Sequence, residues 1–221
     1  MGVRLRTPDI KTRGEAWHVF SRKRAPRMLF GAVVLALIAR LALGAFTWRD
    51  LVAVAAMLVI YPFGEWAIHV YLLHSKLDLV STRSHMEHHA DPQDLSLINF
   101  GPGEALAILL VAAPFSVGIS ALLIAPVPGP LHLEPFVTEL LTAYVLIAWY
   151  EWIHFLIHTS YVPRSRWYKR VWRNHRLHHF KNEHYWHGIT NTISDTVLRT
   201  NPDQKTVPKS GTARTLQGGG V

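Results

Sequence analysis

The stretch "MLFGAVVLALIARLALGAFTW", Met28 to Trp48, is 21 residues long with Arg40 as its only charge. As a helix rising ~1.5 Å per residue it spans the ~30 Å hydrocarbon core of a bilayer. The basic run "RKRAPR" from Arg22 precedes it and no small-residue cleavage site follows, so this span is expected to stay in the protein rather than leave as a signal peptide. Arg40 lies towards its far end, where a long side chain can snorkel to the interface.

Three further apolar spans follow at about Leu51–Leu73, Glu104–Val127 and Phe136–Ile157. The expected fold is therefore all-α and integral to a membrane, with about four transmembrane helices in two pairs. Arg4, Arg6, Lys11, Arg13, Arg22, Lys23, Arg24 and Arg27 precede the first span, and Arg164, Arg166, Lys169, Arg170, Arg173 and Arg176 follow the fourth. The two connections expected on the opposite face, near Trp48–Asp50 and at Pro126–Pro135, contain only Arg49. The positive-inside rule then makes this a multi-pass protein with both termini cytoplasmic.

At 221 residues the chain suits one domain, and 49% hydrophobic residues beside a net charge of +8 imply that apolar and basic residues are segregated along it. That favours a membrane protein over a nucleic-acid binder. Three segments are expected: a basic cytoplasmic segment (1–27), a membrane domain (28–200) and a disordered tail (201–221) that lacks apolar periodicity. Cysteine is absent, which excludes disulfides, thiolate metal sites and cysteine nucleophiles. The chain has 14 histidines, and any metal chemistry must run on nitrogen and oxygen ligands.

Ten of those histidines form four clusters: His69 with His74; His85, His88 and His89; His154 with His158; and His175, His178 and His179. The order pair, triplet, pair, triplet repeats across the two halves of the chain, and the predicted topology puts all four clusters on one side, with only His132 on the other. One histidine pair at helical spacing is ordinarily an interfacial feature, but four ordered clusters on one face point to metal ligation. His154 and His158 share a helix face. The triplets span about 100° of a helix, so His88 and His89 diverge enough to serve two ions while His85 stacks over His89. His69 and His74 fall about 140° apart on an ideal helix and require a distorted helix end or different metals. Ten nitrogens exceed one structural zinc site and suit two ions with open positions. Imidazole accepts iron, zinc, copper or nickel, so the ligand type does not choose among them.

Glu65 in "EWAIH" and Glu151 in "EWIH" each precede a histidine by about one turn, where a carboxylate could accept the N–H of a ligand imidazole. Pro62 and Gly64 are placed to bend the second span. His184 and His187 follow the last triplet as a possible extra ligand or pocket lining, and His18 and His132 are expected at the surface. "GPGEAL" (Gly101–Leu106) lacks the last glycine of a dinucleotide fingerprint and is read as the cap of the third span.

The set H-x4-H, H-x2-H-H, H-x3-H, H-x2-H-H, over about Glu65–Thr200, resembles the fatty acid hydroxylase/sterol desaturase superfamily of integral-membrane histidine-box di-iron oxygenases. Its spacing is closest to the fatty acid 2-hydroxylase branch. The closing segment "HHFKNEHYWHGITNTISDTVLRT" is similar too: Gly188 and Asp195 match, while Arg199 stands where the family usually has glycine. The resemblance implies transmembrane helices with a cytoplasmic helical cap holding a dimetal site of two iron ions, with zinc as a substitute in purified protein. It implies a monooxygenase reaction in which one atom of O2 enters a C–H bond of a lipid, most simply a fatty acyl chain, and the other leaves as water. Electrons would come from an external donor, a separate reductase or small electron carrier, because no haem, flavin or nicotinamide motif is present. The compartment would be a bacterial plasma membrane, or the endoplasmic reticulum in a eukaryote. A sterol or carotenoid hydroxylase or desaturase, a histidine-ligated membrane haem electron carrier and a metal transporter are the alternatives.

Overall fold

The structure is a computed structural model that describes residues 6–124 and 133–213. Among them the chain is entirely helical. After a 3-10 turn at Thr7–Asp9 come α1 (Arg13–Phe20), α2 (Arg24–Ala42), α3 (Trp48–Ala67), a π-helical turn (Ile68–Leu73), α4 (Val80–Ala90), α5 (Pro102–Ile124), α6 (Leu133–His158), α7 (Arg166–Phe180) and α8 (Ile193–Val197). The expected outer loop lies largely outside the described residues, as does His132.

The chain forms two compact units. One contains residues 22–61 and 101–149, the other residues 1–21, 62–100 and 150–221.

The first unit is built from apolar helices. Arg24–Ala42, Trp48–Leu73 and Leu133–His158 are long and apolar enough to cross a membrane; the fourth expected span falls on α5, whose shorter apolar stretch is Pro102–Phe115. Met57, Ala112 and Ala143 form a small core with Ile60, Tyr144 and Ile147 packed against it. Outside that core the helices display leucine and valine, with Leu35 69% and Leu51 71% exposed. Apolar surface on this scale is costly in water and is what a lipid solvent covers. The start of α5 is capped as its sequence suggests, with Pro102 in the first turn and Gly101 N–H donating to Glu104 Oε2 at 2.7 Å.

Arg40 does not snorkel. Its guanidinium is fully buried, with Nη2 2.9 Å from Asp50 Oδ1, Nε 2.7 Å from Thr138 Oγ1, and Nη1 and Nη2 on the Gly44 and Ala45 carbonyls. The chain reverses at Gly44, whose φ of +98° suits glycine, and this brings Asp50 back to Arg40. A pairing partner ten residues away made burial cheaper than reaching for water.

The second unit contains all ten clustered histidines. Residues 1–21 of the basic N-terminal segment belong to it, while 22–27 fall in the first unit with α2; α1 begins with a Thr12–Glu15 capping box and lays Trp17 and Phe20 against Trp152, with Phe20 also meeting Phe155. Residues 201–213, assigned by sequence to a disordered tail, run back along the end of α7. Ser210 N–H donates to the Lys181 carbonyl, Asn182 Nδ2 donates to the Pro208 carbonyl, and Val207 is buried. The remaining tail, 214–221, lies outside the described residues.

Candidate metal centre

The π turn with the residue that follows it, the end of α6 and the helices α4 and α7 bring the ten histidines together as two sets of five. His69, His74, His85, His89 and His178 form one; His88, His154, His158, His175 and His179 form the other. Each triplet divides in the same way. Its i, i+4 pair serves the set of its own half of the chain, and its middle histidine crosses to the other set, as suits a residue about 80° off the midline of that pair's face. The sets share a wall, where the rings of His89 and His179 stack at 4.0 Å.

His69 and His74 reach one set because the helix widens between them. The π turn carries a hydrogen bond from His74 N–H to the His69 carbonyl at 3.2 Å, an i to i+5 closure that brings residues five apart onto one face. The α-helical His154–His158 pair needs no such turn.

Within the first set the Nε2 atoms form a closed ring: His74–His178 3.1 Å, His178–His89 3.2 Å, His89–His85 3.1 Å and His85–His74 3.1 Å. In the second, His88–His158, His158–His175 and His175–His179 lie 3.1, 3.0 and 3.0 Å apart. One imidazole nitrogen is either a donor or an acceptor, so nitrogens that each face two others are poorly served by hydrogen bonds alone. A cation among four such nitrogens would lie about 1.9 Å from each in a tetrahedral arrangement and about 2.2 Å in a square one, bracketing the ~2.0–2.1 Å of imidazole–zinc bonds. The donor sets therefore fit a metal each.

Protonation favours the same reading. Burial, followed by neighbouring imidazoles, pushes His85, His89, His175, His178 and His179 well below the ordinary histidine range. Burial and then His187 bring His74 down to about 4. These rings are neutral at pH 7 and carry lone pairs. Tautomers are fixed where Nδ1 has an acceptor: His69 Nδ1 lies 2.6 Å from the His187 carbonyl and His178 Nδ1 lies 2.9 Å from the Tyr185 carbonyl. Nε2 is left for the metal, and His69 Nε2 is buried without a hydrogen-bond partner among the described residues.

Both candidate glutamates bond to loops beside the site. The acceptor for His69 is the His187 carbonyl rather than Glu65, whose carboxylate takes the N–H groups of Ile189 and Thr190 at 2.6 and 3.0 Å and the Thr190 hydroxyl. Glu151 Oε2 accepts from Asn99 Nδ2 at 3.0 Å and from Phe100 N–H at 3.1 Å. Both glutamates hold backbone beside the site, because an extended loop presents N–H groups that a buried carboxylate satisfies more fully than one imidazole would. His184 has an exposed side chain, and its carbonyl meets His187 Nε2 at 3.1 Å. His187 is buried with its ring 5.3 Å from that of His178 and 5.5 Å from that of His69, outside both ligand sets. Sequence reasoning did not anticipate the carbonyls of residues 185 and 187, because any residue supplies a carbonyl; the noted match at Asp195 was the available signal.

An all-helical chain with membrane-length apolar helices and two clustered five-histidine sites defines a class of membrane proteins with a candidate dimetal centre. The family model "Fatty acid hydroxylase" matches residues 54–200, and the chain belongs to that family. Dihydroceramide fatty acyl 2-hydroxylase FAH2 from Arabidopsis thaliana is 31% identical over 163 residues, 68% of this chain and 64% of that protein. The chain thus spans less than two thirds of that relative's length. A solved structure of full-length scs7p, with only its hydroxylase domain visible, matches with a TM-score of 0.62 at 19% identity, over 88% of this chain and 69% of the other, and shares the fold.

Proposed function

We propose that this chain is a membrane-bound, O2-dependent oxygenase that hydroxylates a lipid acyl chain with two iron ions, one in each five-histidine set. The observation that carries this reading is the pair of nitrogen clusters, each with Nε2 atoms 3.0–3.2 Å apart. The same spacing leaves no gap for a porphyrin plane between facing imidazoles, which disfavours a haem carrier. Iron, when bound, supplies the activation of O2. The chain's own residues would hold the ions with neutral imidazoles and keep the site among buried side chains. Family membership and the 2-hydroxylase relative support a fatty acyl substrate, such as the N-acyl chain of a sphingolipid. Two electrons per turnover come from a separate reductase or small electron carrier. The basic segments flanking the spans support a cytoplasmic metal site and termini.

Expression in a lipid-rich host tests the proposal. Total-lipid mass spectrometry should reveal acyl chains one oxygen heavier than in the vector control, absent with His88→Ala or His178→Ala. Unchanged product in either variant would contradict it.

A further inference from the structure

The two histidine sets are anchored differently. In the first, two imidazoles lean on one short loop: His178 Nδ1 on the carbonyl of Tyr185, and His69 Nδ1 on that of His187. These carbonyls flank Trp186, whose φ of +58° is left-handed. Five consecutive N–H groups of the loop are all bonded. Trp186 donates to the Thr200 carbonyl at 2.7 Å, His187 and Gly188 to Asp195 Oδ1 and Oδ2 at 3.0 and 2.8 Å, and Ile189 and Thr190 to Glu65 Oε1. Asp195 is fully buried and also accepts the Thr200 hydroxyl at 2.6 Å. Position 188 admits only glycine, since a Cβ there would lie 2.1 Å from the Asn191 carbonyl oxygen. In the second set, by contrast, His175 and His179 have Nδ1 atoms with no hydrogen-bond partner among the described residues.

We propose that Asp195 and Glu65 are positioning residues for one metal of the two: by holding loop 185–190 they fix the tautomer and aim of His69 and His178, and the second site does not depend on them. The proposal rests on reading the histidine sets as metal sites. Outer hydrogen bonds to ligand imidazoles commonly alter metal affinity ~10–100-fold, and here they act through two carboxylates and a peptide backbone.

The test is metal stoichiometry of the full chain, purified in detergent and equilibrated with zinc, a redox-silent probe. Wild type should bind two ions, while Asp195→Ala and Glu65→Ala should bind one tightly and the second ~10–100-fold more weakly. Location comes from paired variants. Asp195→Ala should weaken the remaining ion by the same ~10–100-fold in a His88→Ala background, where the second set is already broken, and change nothing further in a His85→Ala background. Two ions of unchanged affinity in Asp195→Ala, or equal weakening of both sites in a folded protein, would overturn the inference. Should Asp195→Ala not fold, Thr200→Val keeps the carboxylate and deletes the hydroxyl's bond to Asp195 together with the one it accepts from Trp66 Nε1 at 3.0 Å; a smaller weakening confined to the same site supports the proposal, and any other pattern overturns it. Fewer than two zinc ions in wild type would instead defeat the underlying metal-site reading.

Discussion

His178 joins the two halves of the chain with one ring: its Nε2 meets His74 and His89 from the first half, and its Nδ1 meets the Tyr185 carbonyl beyond its own helix. Such rings must stay neutral. For His74 the folded value is about 4, against about 6.5 in an unfolded chain. Between those values the unfolded chain binds the extra proton, so this contribution to stability is intact above about pH 6.5 and declines as pH falls towards 4. Thermal unfolding of metal-free protein should therefore show a falling Tm below about pH 6.5; a flat profile down to pH 4.5 would contradict burial of a neutral site. Arg199 supplies a second residue-scale prediction. Its φ is +59°, a conformation that costs a non-glycine residue ~1–2 kcal/mol, and glycine suits it at some cost in chain entropy. Arg199→Gly should raise stability by a net ~0.5–1 kcal/mol, read by thermal denaturation, and a lower Tm would count against that backbone assignment. The departure from the family's usual glycine was visible in the sequence, but its backbone cause was not, since one residue letter does not report φ.

Among the elements, the π turn and the buried ion pair had different legibility. The five-residue spacing of His69 and His74 left two readings, a distorted helix end or different metals, because a regular helix cannot put both on one face; the i to i+5 turn realises the first. The split of each triplet was legible for a similar reason, since helical angles fix which side chains diverge. Arg40 was misread because snorkelling and pairing look alike from one span. The Asp50 that decides between them lies past a reversal at Gly44. Removing one member of such a pair leaves an uncompensated charge, so Asp50→Ala should cost ~3–5 kcal/mol, measured by thermal unfolding in detergent. A loss under ~1 kcal/mol would place Arg40 in solvent contact instead. The anchoring of loop 185–190 was the least legible element, since its contacts run from backbone N–H groups, which any residue supplies, to Asp195 nearby and to Glu65 more than a hundred residues away.

For the molecule as a whole, membrane character and family were accessible from composition and histidine order, and the two-unit organisation follows from where those signals sit. Apolar stretches make up one unit; the histidines, the N-terminal helix α1 and residues 201–213 make up the other. His69 and His154 lie near the ends of the membrane-length apolar helices Trp48–Leu73 and Leu133–His158. The central claim is that this site uses O2 to hydroxylate a lipid. It is tested most directly by supplying 18O2 to iron-loaded protein with an acyl lipid and a reductant, then locating the label by mass spectrometry. The account predicts one 18O atom in the product hydroxyl, and none after His88→Ala or His178→Ala. Oxygen derived from water, or no hydroxylated lipid from protein shown to hold two irons and accept electrons, would contradict it.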